Sequence, residues 1–146
     1  MKILGVDFGD TRTGVAISDI NGFLASPLAL IKKGLAGTAE EVANLAESNK
    51  AEKIVVGLPL NMDGSEGQRA ERTRIFCEEL KKHFKGEIIL QDERMTTVSA
   101  HNIMIENNTK RRKKKDKVDK IAAVLILQTY LDSKRPTKRG RLFMSE

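Results

Sequence analysis

The sequence predicts one α/β domain in three layers, helix on sheet on helix, around a mixed five-stranded sheet. Three observations predict it. Three strand-like segments follow one another across short turns near the start, helix-periodic and strand-periodic segments alternate after them, and the most apolar helical segment comes last. At 146 residues the chain is long enough to bury a core without staples. The expected boundaries are a domain over residues 1–133 and a basic, flexible tail over 134–146.

Each element has a local reason. "MKILGVDF" (1–8) alternates so that Ile3, Gly5 and Asp7 share one face of a strand and Leu4, Val6 and Phe8 the other. "GDTR" is a turn and "TGVAISD" a second strand. Asn21-Gly22 is a hairpin signal that leads into a third strand through "FLASPLALI". "TAEEVANLAES" has helical spacing, with Val42, Leu45 and Ala46 on one stripe and Thr38 as the expected N-cap. "KIVVGLPL" (53–60) reads as a fully buried strand. "EGQRAERTRIFCEELKKHF" is a long helix for which Ser65 and Gln68 form a capping box. "GEIILQDER" is a strand ending in acids, and "TTVSAHNIMIEN" (96–107) a helix. In "KVDKIAAVLILQTYLDS" (117–133), Ile121, Val124, Leu125, Leu127, Gln128 and Leu131 predict near-complete burial of the last helix.

Charge is concentrated rather than spread. The net charge is +6, but residues 109–120 alone carry +6 and residues 133–146 carry +4, which leaves the rest of the chain at −4. Two basic clusters on a mildly acidic body point to a polyanion-binding edge. Six consecutive bases, Lys110, Arg111, Arg112, Lys113, Lys114 and Lys115, read as a nucleic-acid-binding loop, with a plain solvated loop as the alternative. Five Phe, one Tyr and no Trp leave little for base stacking, so phosphate contacts and shape are expected to dominate. A single cysteine, Cys77, cannot form an intrachain disulfide and reads as a small core residue. No apolar run is long enough for a bilayer, and the chain opens directly into a strand, so a cytoplasmic protein is expected.

Asp7 is the anomaly of the first strand, because a carboxylate is costly to bury unless something pairs with it or coordinates it. Glu93 ends another strand. Asp119 falls in the first turn of the last helix as read from the sequence, where the helix dipole favours an acid. Sites in open sheets form at the carboxyl ends of parallel strands. Asp7 and Glu93 meet there if their strands are parallel neighbours, and Asp119 joins them if its helix crosses that edge. Three such carboxylates repel one another unless a divalent cation holds them. Their oxygen donors suit Mg2+ or Mn2+, one ion or two, and the chain has no Cys/His cluster of zinc spacing. A metal-bearing acid cluster beside a basic rim is the chemistry of a phosphodiester nuclease. Taken singly, Asp7 is equally a turn residue, Glu93 a solvated loop acid and Asp119 a helix-end charge, and Asp116 can stand in for Asp119.

The segments "GVDFGDTRTGVAISD", "VVGLPLNMDGSEGQRAERTRIF", "DERMTTVSAHNIM" and "KVDKIAAVLILQTYLDS" together resemble the YqgF (RuvX) family of ribonuclease-H-like nucleases. The resemblance implies a ribonuclease-H-like fold and an acid triad carried onto Asp7, Glu93 and Asp119. It also implies one of two substrates: the 5′ end of precursor 16S rRNA, or four-way DNA junctions. We favour structured RNA over branched DNA, because a junction resolvase makes paired cuts that call for a symmetric dimer, and no exposed apolar helix face is legible here. A monomer is therefore expected, and a dimer if the substrate is a junction.

Arg12, in the turn after Asp7, and Arg94, after Glu93, are candidate phosphate ligands, with a surface turn and a pair to Asp92 as their plain readings. His83 and His101 read as unremarkable helix residues. Two rival functions stay open at this level. One is a sugar-kinase-like or actin-like ATPase, which shares the fold and a "D-x-G" loop but needs a second domain. The other is a non-catalytic RNA-binding factor with structural acids.

Overall fold

A computed structural model of the chain describes residues 1–95 and 112–134, with all side chains there except those of 95 and 112–119. The elements in order are β1 (Lys2–Asp7), β2 (Thr13–Ser18), β3 (Ala25–Ile31), α1 (Leu35–Ser48), β4 (Ala51–Leu58), α2 (Gln68–Lys81), β5 (Glu87–Asp92), a 3-10 turn (Glu93–Met95) and α3 (Arg112–Lys134). The helix expected over 96–107, with His101, lies outside the described residues. So do Lys110, Arg111 and the chain beyond Lys134.

One mixed sheet runs in the order β3-β2-β1-β4-β5. β1, β2 and β3 form the expected antiparallel meander, while β4 pairs parallel to β1 on one edge and to β5 on the other. The Asn21-Gly22 turn is closed by Asp19. Its carbonyl accepts from Gly22 N–H at 3.1 Å, and its carboxylate accepts from Phe23 N–H and Leu24 N–H at 2.7 and 3.1 Å. These bonds hold the Asp19 carboxyl below the usual carboxylate range.

The predicted alternation along β1 is observed. Leu4, Val6 and Phe8 enter a core with α1 and α2, whereas Ile3 enters a separate core with Ala122, Ala123, Ile126, Leu127, Tyr130 and Leu131 of α3. The layers are therefore α1 and α2, then the sheet, then α3. Burial of α3 is one-sided rather than near-complete. Ala122, Ala123, Ile126, Leu127, Tyr130 and Leu131 are buried while Ile121, Val124, Leu125 and Gln128 are half-buried, because a single sheet face covers a single stripe of the helix. Gln128 ties α3 across the sheet: its Nε2 donates to the Phe23 carbonyl and its Oε1 accepts from Ala25 N–H, both at 2.9 Å.

Three helix starts differ from those expected. α1 begins at Leu35 after Gly34, and Thr38 is buried inside the first turn with its hydroxyl donating to the Lys33 carbonyl at 3.0 Å. α2 begins at Gln68 after Gly67, not after Ser65. Ser65 is engaged in its own loop instead, where its hydroxyl donates to Asp63 at 2.6 Å and a Leu60–Glu66 bridge keeps the chain extended. α3 begins at Arg112, so residues 112–116 are helical rather than a basic loop, and Asp119 is not in the first turn. Lys and Arg are good helix formers, and no Gly or Pro interrupts the run. α3 also includes Lys134, one residue past the expected domain boundary. Cys77 is buried as predicted, and burial pushes its thiol up to about 11.

Candidate active site at the carboxyl ends of the parallel strands

β1, β4 and β5 end on the same side of the sheet, and each terminus carries part of the site. Asp7 is the last residue of β1 and is half-buried. Glu93 follows β5 directly and is buried, with 5% of its surface exposed. The two strands are parallel but not neighbours, since β4 lies between them. Strands spaced about 4.8 Å apart would leave a gap of roughly two spacings between β1 and β5.

Gly57 narrows that gap. A Cβ at this position of β4 would lie 2.7 Å from Glu93 Oε2 and 2.5 Å from Ile126 Cδ1. The Glu93 carboxylate thus lies over the bare backbone of β4, on the α3 side of the sheet. Val6 pairs with Val56, so continuing the register sets Asp7 beside Gly57, and Asp7 shares the α3 face with Ile3 and Gly5. Burial raises the Glu93 carboxyl above its ordinary value. The positive charge of Arg69 opposes the shift, and the negative charge of Asp92 adds to it.

The course of α3 brings the third acid's position to the same end. Tyr130 and Leu131 line a cavity together with Met1 and Ile3, at the start of β1. A Cβ on Gly5 would touch Leu127 Cβ at 2.5 Å and the Ala123 carbonyl oxygen at 3.1 Å. The helix therefore runs antiparallel to β1. Residue 119 is one turn before Ala122 and Ala123 on the same helical stripe, toward the Asp7 end. Among the described residues no group of three or more His, Cys, Asp or Glu side chains is gathered to hold a metal ion. The Asp119 side chain is outside that description, as are those of Arg112, Lys113, Lys114 and Lys115.

Around the acids the loop between β4 and α2 is pre-organised. Asn61 N–H donates to the Ser65 carbonyl at 2.9 Å, Gly64 N–H to the Asn61 carbonyl at 2.8 Å, and Asn61 Nδ2 to the Ser65 hydroxyl at 2.9 Å. Arg94 braces this loop. Its guanidinium donates to both Asp92 carboxylate oxygens, at 2.8–3.2 Å, and to the Met62 carbonyl at 3.2 Å. The Asp92 carboxyl is held below its ordinary value mainly by that pair. Arg12 is half-buried in the β1–β2 turn, where the buried Thr13 hydroxyl exchanges hydrogen bonds of 3.2 Å with Gly9.

Two contributors escape a reading of the sequence. Gly57 interrupts an otherwise apolar strand, and an isolated strand glycine signals close approach of another group. Arg69 sits at the start of α2, and no spacing rule connects it to Glu93; only the fold does.

Both carboxylates are hard oxygen donors, and burial penalises the charge on Glu93. A divalent cation of the Mg2+ or Mn2+ type fits this donor set, because it would remove that penalty. Among the described residues no helix is long and apolar enough to cross a membrane.

The chain is similar to known proteins in sequence and in fold. A model of the RuvX family, described as Holliday junction resolvase, matches residues 1–133. A protein of Clostridium tetani named "Putative pre-16S rRNA nuclease" is 49% identical over 134 residues, which cover 91% of this chain and 97% of that protein. A protein of the same name from Clostridium novyi is 44% identical over 134 residues, covering 91% and 99%. In fold, the chain is similar to the Thermus thermophilus RuvC structure in complex with Holliday junction substrate, with a TM-score of 0.58 at 11% identity, covering 92% and 95%. The fowlpox virus Holliday junction resolvase gives a TM-score of 0.50 at 16% identity, covering 91% and 99%.

Proposed function

The chain belongs to the RuvX family and has a ribonuclease-H-like fold, and from that premise we propose that it is a metal-dependent nuclease that trims the 5′ end of precursor 16S rRNA in the cytoplasm. The observation that carries the reading is the Glu93 carboxylate lying over Gly57 toward Asp7, at the end of the sheet to which α3 leads residue 119. Asp7, Glu93 and Asp119 hold Mg2+ or Mn2+, as one ion or two. When bound, the metal supplies the Lewis acid and the activated water that phosphodiester hydrolysis needs.

The chain's own groups position the substrate. Arg12 stands in the turn directly after Asp7 and takes a phosphate oxygen. Lys110 and Arg111, which precede α3 in the sequence, and Arg112, Lys113, Lys114 and Lys115 at its start hold the backbone of a structured RNA electrostatically. Arg94 holds the β4–α2 loop against the end of β5, which keeps one wall of the site in place for the substrate. The protein works on RNA as a monomer.

The test is incubation of the purified protein with precursor rRNA and with a four-way DNA junction, in Mg2+ or Mn2+. Cleavage of the RNA by the wild type, reduced about a hundredfold to a thousandfold in Asp7→Asn, is the expected result. No cleavage by the wild type, or equal cleavage by Asp7→Asn, overturns the reading. The family description favours a second reading, resolution of DNA junctions by a dimer, and paired cuts in the junction with intact rRNA would establish it instead.

A further inference from the structure

The first turns of α2 carry three arginines, and two of them are tied down. Arg72 donates through Nε and Nη2 to Asp10 Oδ1, at 3.0 and 2.8 Å. Arg74 makes a fork to Glu66, at 2.8 and 2.7 Å. The Arg69 side chain is exposed and, among the described residues, makes neither a hydrogen bond nor an ion pair within 4.0 Å. Its place in the fold is given by the cavity it lines, whose other wall starts one residue after Asp7.

This cavity, of about 530 Å³, lies between the turn after Asp7 and the start of α2. That volume is in the range of small-ligand sites. One wall is Phe8, Gly9 and Asp10, the residues immediately following Asp7, and the other includes Gln68, Arg69 and Arg72. The wall is rigid, since the Phe8 ring stacks on Phe76 with centroids 4.5 Å apart. Asp10 neutralises Arg72 across the cavity. Glu71, exposed on the rim, is the acid a polyanion would have to pass, and Arg69 is the cation that offsets it.

We propose that Arg69 binds the substrate phosphate next to the scissile one, and that this cavity receives the attached nucleotide. The inference rests on the nuclease reading above and adds a subsite to it. A chain whose scissile phosphate sits at Asp7 and Glu93 runs on past the turn that follows Asp7, and Arg69 lines the cavity that opens beside that turn. Arginine suits the role because its planar fork matches two phosphate oxygens at once.

The experiment uses Arg69→Gln and Arg69→Lys, with Arg74→Gln as a control that removes the same charge from the same helix. Equilibrium binding of precursor rRNA is measured across a salt series with a chelator present, so that no cleavage is needed, and steady-state cleavage is measured separately in Mg2+. Arg69→Gln is expected to weaken metal-free binding about tenfold and to lower the salt slope by about one phosphate contact. Arg69→Lys should restore the slope, though not the full affinity. Arg74→Gln should leave both unchanged.

Cleavage by the wild type, with unaltered affinity and slope in Arg69→Gln, overturns the subsite and leaves the nuclease reading standing. A lowered melting temperature with an unaltered slope does the same, because Arg69 would then serve only as counter-charge to Glu93. An equal loss in Arg74→Gln also overturns it, as a general charge effect. The expected slope change in a protein that cleaves nothing would uphold the phosphate contact while the nuclease reading fails. No RNA binding by the wild type overturns both.

Discussion

The two faces of the sheet are built on different principles. Under α1 and α2 the contact is made by large side chains, among them Leu4, Val6, Phe8, Val15, Ile54, Val56, Phe76 and Leu80, with the Phe8 and Phe76 rings nearly parallel at 16°. Under α3 large side chains such as Ile126 and Leu127 press onto positions where side chains are small or missing, Gly5, Ala16 and Gly57 on the strands, with Ala122 and Ala123 beside them on the helix. Large residues fill volume and stabilise by burial. Small ones let a helix backbone come close to the strands, and that closeness gives a buried carboxylate a place to lie. The first face serves stability. The second serves the acids, and Asp7 and Glu93 are both on it.

Mutations can break or sharpen this contrast. The largest effect on stability is expected from Phe76→Ala, which removes a fully buried ring from the apolar face and should cost about 3–5 kcal/mol in urea unfolding. Under folding conditions its cleavage should stay close to wild type. Lost cleavage in a folded Phe76→Ala protein would mean that the two faces are not separable.

Gly57→Ala comes next, at about 1–3 kcal/mol, because its Cβ would overlap the Glu93 carboxylate and Ile126. Cleavage should fall further than in Phe76→Ala despite the smaller loss of stability. A variant neutral in both respects would show that the α3 face is not tightly fitted.

The smallest effect has the opposite sign. Burial raises the Glu93 carboxyl above its ordinary 4.5, so the folded protein disfavours the charged form that the unfolded chain readily adopts. Below 4.5 both states are protonated and there is no penalty. The penalty grows as the pH rises from 4.5 to the folded value, and is constant above it. Glu93→Gln, which cannot ionise, should therefore melt higher than wild type at neutral pH in the presence of a chelator. The difference should shrink on acidification, and cleavage should be absent. A Glu93→Gln protein that melts lower than wild type at neutral pH would place Glu93 among the stabilising residues and erase the contrast.

Much of the fold was legible because it follows from local patterns. The alternation along residues 1–8 assigned Ile3, Gly5 and Asp7 to one face and Leu4, Val6 and Phe8 to the other, and packing obeys it. Helix starts were less legible, because a cap residue has competing partners. Thr38 and Ser65 have the chemistry of N-caps, but one is drawn into the helix interior and the other into a bond with Asp63. The start of α3 was missed because a run of bases reads as a solvated loop, while the same residues continue a helix anchored further along by its apolar stripe.

The sequence alone determined the order of the described elements and the two faces of the first strand, and it nominated the acids, since these depend on side-chain periodicity and turn chemistry over a few residues. Tertiary structure decided that β4 separates β1 from β5, that Glu93 is buried over Gly57, and that Arg69 shares a cavity with the turn after Asp7. Those facts depend on which strands pair and how closely a helix approaches them. Contacts between distant parts of the chain set both, and no local pattern encodes them.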